Sequence, residues 1–412
     1  MDYLAAAIKQ LNRKADMEKM SDLDLDFKDY SIAFESRSNE ELLQMARLFG
    51  LMNKTWLVNI GASLGLAAFK LNLPFTDRIV HKTIFPQFCG GRTLLECEPS
   101  IDNLSEYGVM TILDYGAEGK ETEKDFNLTM NETLRAIEFA SRHQSIPVVS
   151  TKITGLTKNS LLEKLSDQKS LNTTEEHEYE SLLKRIDVIC NRASEKNVSV
   201  FIDAEESWIQ GAIDEIVDKM MNRYNRSKAV VYNTFQMYRH DRLAFLKTSH
   251  HQAQKSGYIL GAKLVRGAYM EKERERAIAR KYRSPINDSK AATDLLYDQG
   301  IEYCVNHFEE IASCNASHNA ASNMLQAKLI HEKGIVKSHP HLNFCQLYGM
   351  SDHITFNLAK AGYNVAKYMP YGPVKDVIPY LIRRTQENTS VTGDMSREYK
   401  MIVEEMKRRG IQ

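Results

Sequence analysis

Two short stretches hold the residues best suited to chemistry. The first is the run Lys263, Leu264, Val265, Arg266, Gly267, Ala268, Tyr269. It is an apolar strand that ends in two residues small enough for a flat ligand to approach the backbone. Tyr269 then adds an aromatic ring with a hydrogen-bonding tip. The second runs from Tyr380 to Asn388. Written as a helix, it sets Tyr380, Arg383, Arg384 and Glu387 on one face, opposite Val377, Ile378, Leu381 and Ile382. Neighbouring guanidinium groups beside a tyrosine suit the capture of a small carboxylate through forked hydrogen bonds. The plainer reading of that face is a solvated one, as on any amphipathic surface helix.

Other polar residues stand where apolar runs end: Asp114, Lys152, Asp203, Gln236, Arg266 with Gly267, and Ser317-His318-Asn319. Lys152 has two sharp readings, a Schiff-base amine activated by burial or a fixed cation for a carboxylate. An ion-paired structural lysine is the bland one. His339 and His341 with Cys345, and Cys314 with His318, are too sparse to imply a metal, so none is expected. No G-x-G-x-x-G follows any strand, and there is no P-loop and no G-x-S-x-G, so a Rossmann dinucleotide site is not supported.

The strands themselves come from short runs rich in Val, Ile and aromatic residues at 109–114, 147–153, 198–203, 229–233, 258–266, 311–317, 353–358 and 364–370. The seventh, 353–358, reads equally as helix. Such runs in βα alternation over about 300 residues match a (β/α)8 barrel, whose C-terminal strand ends build the active site. The expected fold is therefore α/β, a distorted barrel over 96–412 behind an N-terminal helical region over 1–95. In that first region Ser38 to Glu41 opens a helix with capping chemistry, 56–70 reads as a buried helix, and the Phe85–Gly91 stretch ends the pattern. Residues 156–195 read as two charged helices around a linker at 170–174, and 271–283 as an exposed helix laced with ion pairs.

Composition bounds the rest. The chain has 412 residues, 43 % of them hydrophobic, and 54 basic residues balance 54 acidic ones. A formal net charge of zero argues against a nucleic-acid binder. The six cysteines form no C-x-x-C pair, the N-terminus lacks the features of a secretory signal, and it is too acidic for a typical transit peptide. Reduced thiols and a cytoplasmic location are expected. The longest weakly polar run, 56–69, falls short of the roughly 20 residues a spanning helix needs, so no transmembrane segment is expected, while peripheral contact with a membrane stays open.

Five motifs stand in order: Phe201 to Ser207, Lys263 to Tyr269, Ser317-His318-Asn319, Tyr368 to Val374 and Tyr380 to Asn388. With them the sequence resembles the proline dehydrogenase (proline oxidase) family from about Phe85 onward, and most of all its mitochondrial-type, single-activity branch; 412 residues leave no room for an added aldehyde dehydrogenase domain. The resemblance implies a distorted (β/α)8 barrel with non-covalent FAD at the strand ends. It implies oxidation of L-proline to Δ1-pyrroline-5-carboxylate, the first step of proline catabolism to glutamate, with electrons passed to a membrane quinone.

By position, the resemblance implies that Arg383 and Arg384 grip the substrate carboxylate, with Lys152 as third cation. Tyr269, Tyr368 and Tyr380, with Leu264 and Ala268, enclose the ring. Asp203 falls on an active-site aspartate, and Glu118 on an acid that pairs with the first arginine and gates the pocket. Ile202, Gln236, Arg266, Gly267, Ala268, Lys290, Ser317, His318, Asn319 and Glu387 fall on flavin contacts. Lys263 falls near the flavin's reactive edge, where bacterial relatives often carry arginine; a point charge replaces a fork. Ser317 stands where threonine is common. Tyr368 implies proline over hydroxyproline, because hydroxyproline-preferring relatives tend to carry a smaller residue there. Two readings of other classes stand beside this one: an aldolase working through a Schiff base on Lys152, and a non-catalytic barrel that binds a ligand.

Overall fold

Eight short strands, each hydrogen-bonded in parallel to the next, close on themselves: β1 (Met110–Tyr115), β2 (Val148–Thr151), β3 (Ser199–Ile202), β4 (Val231–Gln236), β5 (Leu260–Val265), β6 (Ile311–Ala316), β7 (Leu342–Leu347) and β8 (Val365–Tyr371), with β8 returning to β1. The structure, a computed structural model, describes residues 23–52, 76–116, 119–390 and 394–411, and of 385–390 and 394–396 the backbone alone. The expected helix at 56–70 lies outside the described residues.

Among the described residues, four helices precede the segment that enters the barrel: α1 (Tyr30–Ala33), α2 (Asn39–Met52), α3 (Thr76–Lys82) and α4 (Phe85–Phe88), followed by α5 (Leu94–Glu106). Helices α6 (Glu123–Ala140), α7 (Asn159–Ser166), α8 (Thr173–Lys196), α9 (Ser207–Tyr224), α10 (Arg242–Ser256), α11 (Met270–Arg280), α12 (Lys290–Asn306), α13 (Ala320–Glu332) and α14 (Asp352–Lys360) alternate with the strands, and α15 (Val374–Ser390) and α16 (Asp394–Arg408) follow β8. The charged stretch after β2 does split into two helices, because Asn172 and Glu175 exchange reciprocal hydrogen bonds of 2.8 and 3.0 Å that start α8. Ser38 and Glu41 make the same exchange at the start of α2, at 2.8 and 3.2 Å.

Strand alternation sorts side chains into two layers. Phe201, Tyr232, Cys314, Cys345, Ala366 and Tyr368 fill the barrel interior. Val200, Ile202, Phe235, Leu264, Val365 and Met369 belong to the layer between strands and helices. All six cysteines are buried and unbridged.

The expected seventh strand was misplaced. Residues 352–360 are helical, and the strand lies earlier, at Leu342–Leu347. Ile354, Phe356 and Leu358 alternate like strand residues, but every residue from Asp352 to Leu358 is buried, so α14 shows no one-sided stripe. The N-terminal segment covers it, with Asn357 donating to the Asp29 carbonyl at 3.0 Å. The true strand is masked by its polar members. Gln346 is buried and donates to the Ser317 carbonyl at 3.1 Å while accepting from Thr355 at 2.8 Å.

A second core joins the two ends of the chain. Phe34, Leu42, Phe49 and Phe88 pack with Val377 and Leu381 of α15 and Met401 and Ile402 of α16. Arg409 donates to the carbonyls of Phe34 and Arg37 at 2.6 and 2.7 Å. Phe49 is fully buried and meets Phe88 edge-on, with centroids 6.4 Å apart. Phe49→Ala is expected to cost about 3–5 kcal/mol, read as a lower urea midpoint at unchanged slope; a loss under about 1 kcal/mol would mean this core contributes little.

Candidate active site

Strand register sets the floor of the site. Asp203, one residue past β3, accepts from Lys263 Nζ at 2.6 Å through Oδ1 and from the Tyr368 hydroxyl at 2.6 Å through Oδ2. Lys152, just past β2, places Nζ 3.2 Å from Asp203 Oδ2 and 3.4 Å from both carboxylate oxygens of Asp114 at the end of β1. The Tyr368 hydroxyl also lies 3.2 Å from Ser150 Oγ, and Lys263 Nζ sits 4.6 Å from the centre of the Tyr368 ring. Four strand ends thus converge on one buried carboxylate.

The charges separate the two aspartates. Burial raises the Asp203 carboxyl, but Lys263 and Lys152 outweigh it and hold the group well below the usual range. Asp114 is pushed up to about 6, by burial first and then by the charge of Asp203, against the pull of Lys152. Burial, with both aspartates nearby, keeps Tyr368 protonated and donating.

One wall follows the β5–α11 turn. Gly267 has φ +133, and a Cβ there would stand 2.5 Å from the Tyr238 ring, so position 267 admits only glycine. Gln236 donates through Nε2 to the Glu205 carbonyl at 2.6 Å, while its Oε1 is buried without a hydrogen-bond partner among the described residues. Arg266 is held as a fork by Asp294 at 2.8 Å, Ser317 at 2.7 Å and Ser322 at 3.0 Å, and lies over the Tyr297 ring. Lys290 pairs with the same Asp294 at 2.6 Å. Asn319 caps α13, accepting from Ala321 and Ser322 at 2.9 and 3.2 Å.

Helix α15 closes the mouth. The Arg383 guanidinium lies 5.8 Å from the Tyr269 ring centre and that of Arg384 lies 5.6 Å from Tyr380. Lys120 bridges to Asp376 at 3.0 Å, fastening the β1–α6 loop to the first turn of α15. Floor, wall and helix enclose a cavity of about 630 Å³, within the range of small-molecule sites.

Of the residues singled out in the sequence, the cavity brings together Lys152, Asp203, Gln236, Lys263, Arg266, Gly267, Ala268, Tyr269, Lys290, Ser317, His318, Asn319, Tyr368, Tyr380, Arg383 and Arg384. Leu264 and Ile202 are not part of its lining. Each follows or precedes an inward residue by one position, so the pleat turns its side chain outward to the helices; Leu264 Cδ1 lies against Gly300 of α12. Glu118 lies outside the described residues, and of Glu387 the backbone alone is described. His339 and His341 precede β7 while Cys345 lines the cavity, so these three do not converge. Asp114, Thr234, Gln346 and Arg397 also line the cavity without having been assigned a role. Asp114 had a signal, its place at a strand end like Asp203. Gln346 was hidden by the misplaced seventh strand, and Arg397 belongs to no motif.

Fold and site together define a (β/α)8-barrel enzyme. The model of the family described as Proline dehydrogenase matches residues 97–397. The chain belongs to the proline dehydrogenase family, a family of oxidoreductases. It is 30 % identical over 436 residues to Proline dehydrogenase 2, mitochondrial, of Arabidopsis thaliana, covering 94 % of this chain and 91 % of that one. It is 32 % identical over 327 residues to the carbapenem antibiotics biosynthesis protein CarD of Pectobacterium carotovorum subsp. carotovorum, covering 78 % and 83 %. Against Proline dehydrogenase 1, mitochondrial, of Drosophila melanogaster the identity is 37 % over 245 residues, which is 57 % of this chain and 36 % of that one. The fold matches proline utilization A of Bdellovibrio bacteriovorus with TM-score 0.68 at 21 % identity, covering 88 % of this chain and 38 % of that one. The cytoplasmic expectation is overturned: relatives from Drosophila melanogaster, Caenorhabditis elegans, Arabidopsis thaliana and Homo sapiens are all named mitochondrial.

Glu205 supplies a pH test of the site's electrostatics. Burial pushes its carboxyl up to about 8, despite hydrogen bonds from Thr154 N–H at 3.1 Å and the Thr154 hydroxyl at 2.5 Å. Below about pH 4.5 both folded and unfolded chains hold this proton, and above pH 8 neither does. Between those limits only the folded chain holds it, so stability falls as pH rises, by up to about 1.4 kcal/mol per pH unit. Glu205→Gln is expected to gain on the parent steadily from pH 5 to 8 in urea unfolding; parallel curves would show that the carboxyl is ionised in the folded protein.

Proposed function

We propose that the chain catalyses the FAD-dependent oxidation of L-proline to Δ1-pyrroline-5-carboxylate, the first step of proline catabolism to glutamate. One observation carries the reading: Lys152, Arg383 and Arg384 share a single cavity with Tyr269, Tyr368 and Tyr380, and that cavity reaches the glycine turn at 267. Cations suit a carboxylate, and aromatic faces suit a small saturated ring.

The lining fits a flavin. Gln236 Oε1 is a buried acceptor that a ligand N–H would satisfy. Gly267, backed by the Tyr238 ring, presents bare backbone to the cavity, and Arg266 is a preorganised cation beside the capped start of α13. Gln236, Arg266, Gly267, Ala268, Lys290, Ser317, His318 and Asn319 would hold the cofactor, with Glu387 from α15. When bound, FAD supplies the two-electron oxidant.

The chain's own residues do the rest. Arg383, Arg384 and Lys152 hold the carboxylate, and Lys152 is already fixed by Asp114 and Asp203. Tyr269, Tyr368, Tyr380 and Ala268 set the ring and exclude water. The surrounding cations favour loss of the substrate ammonium proton, so the amine is neutral when the adjacent C–H bond is broken. Asp203 positions Lys263 and Tyr368, and the rate gain comes largely from such positioning. The aldolase reading loses ground because the Lys152 ammonium is engaged by two carboxylates and is no free amine nucleophile.

For the acceptor we propose a membrane quinone, on the family resemblance; among the described residues no helix is long and apolar enough to cross a bilayer. We also propose residues 96–412 as the catalytic domain and 1–95 as a helical region, linked by the second core.

Purified protein is expected to be yellow, and anaerobic L-proline to bleach the flavin band; a colourless protein that takes up no FAD overturns the proposal. Arg383→Met should raise KM by roughly 30-fold or more, because a desolvated charge pair with the ligand contributes on the order of 2–5 kcal/mol. An unchanged KM would remove the clamp. Tyr368→Ser should shift the kcat/KM ratio toward hydroxyproline, whereas Tyr368→Phe, which keeps the ring but drops the bond to Asp203, should lower kcat/KM for both substrates with the ratio unmoved. Equal ratios in both variants would deny Tyr368 a role in specificity.

A further inference from the structure

A buried polar cluster lies behind the cavity wall, where neither the carboxylate clamp nor the flavin contacts account for it. Lys367, on the outer side of β8, is 1 % exposed and pairs with Asp352 at 2.7 Å. Arg37 approaches the same carboxylate at 3.6 Å. Glu398 of α16 is 4 % exposed and accepts from the Ser351 N–H at 3.0 Å. The Ser351 hydroxyl stands 2.9 Å from Nδ1 of His318, which lines the cavity. Arg397, the preceding residue of α16, donates to the His318 carbonyl at 3.4 Å. Two consecutive residues of one helix therefore reach the same cavity residue, one through its backbone and one through the partner of its ring.

Ser351 is fully buried and has φ +53. An L-residue keeps that conformation only where its surroundings enforce it. The bond from its N–H to Glu398 is such an enforcement, and the hydroxyl it aims is what His318 meets. Burial, with Arg384, Lys367 and Arg397 nearby, holds the His318 imidazole well below its ordinary range. A neutral imidazole has one donor and one acceptor nitrogen, and the partner at Nδ1 decides how the other is presented.

We propose that Glu398 is a positioning residue for the cofactor site: it fixes Ser351, Ser351 orients the His318 ring, and retention of the flavin depends on α16 being docked. The proposal rests on His318 being a flavin contact, as in the preceding reading.

FAD titration of the cofactor-depleted full chain tests it, alongside thermal unfolding and the ¹⁵N-histidine spectrum of FAD-free protein, with the His318 signal assigned by His318→Gln. Glu398→Leu is expected to weaken FAD binding about tenfold, the scale of one buried hydrogen bond, and to move the His318 signal. Glu398→Gln keeps an acceptor for the Ser351 N–H and should bind within about twofold of the parent. Ser351→Gly accepts the positive φ and keeps the N–H but lacks the hydroxyl, so it should weaken FAD as Glu398→Leu does without lowering Tm. A Glu398→Leu variant that loses Tm but binds FAD like the parent overturns the proposal, as does a Glu398→Gln variant as weak as Glu398→Leu, or a Ser351→Gly variant that binds normally. Parent protein that takes up no FAD removes the flavin reading by itself; the His318 signal then still decides, upholding the positioning role if Glu398→Leu moves it and rejecting it if not.

Discussion

The carboxylate of Asp203 is shared by two ammonium groups and a phenol at the mouth of the barrel, and the site is assembled around it. Burying four charged groups together is costly unless each is paired and hydrogen-bonded. Here Asp114 and Asp203 balance Lys152 and Lys263, and the elements that supply them are four separate strands. The barrel brings these strand ends within a few ångströms, which a sequence spread from 114 to 263 could not do locally. The guanidinium groups of Arg383 and Arg384 on α15 stand across the same cavity from this floor.

Much of this was legible in the sequence, and the exceptions have physical causes. The runs that became β1 to β6 and β8 are short, each holds at least one Val or Ile, and they are spaced by helical stretches, a recurrence that marks the strands of a βα barrel even where polar residues stand among them. The strand that became β7, Leu342–Leu347, was missed because it holds no Val, Ile or Thr, and its neighbour α14 took its place because its buried Ile354, Phe356 and Leu358 alternate. The helix that carries Arg383 and Arg384 and the glycine turn at 267 were readable because both are local, i to i+4 on a helix or adjacent along a strand. The partners of Lys152 were not readable. Which carboxylates it meets depends on strand order and shear, and only the closed barrel fixes those. Leu264 shows the opposite error. Its motif position suggested the pocket, while simple alternation with Lys263 sends it to the helix layer.

The histidine at 318 illustrates how a cavity residue can be governed from outside the cavity. Its contacts come from α16 and from the turn before α14, elements that carry none of the motifs. Those elements rest in turn on the N-terminal helices through Arg37 and Arg409. The two ends of the chain therefore meet behind the wall of the site, and the site's geometry is tied to a core that is not the barrel's own.

That second core also limits how the cavity can open. The face of α15 opposite its arginines is not free: Val377, Ile378 and Leu381 are buried against the amino-terminal helices. Swinging the helix away as a rigid body would expose all three, at roughly 1.5–3 kcal/mol apiece, enough to keep such a swung-out conformer below about one molecule in a thousand. A rigid swing of α15 is therefore not the way into the cavity, and the Lys120–Asp376 pair at 3.0 Å adds a further tie at its first turn.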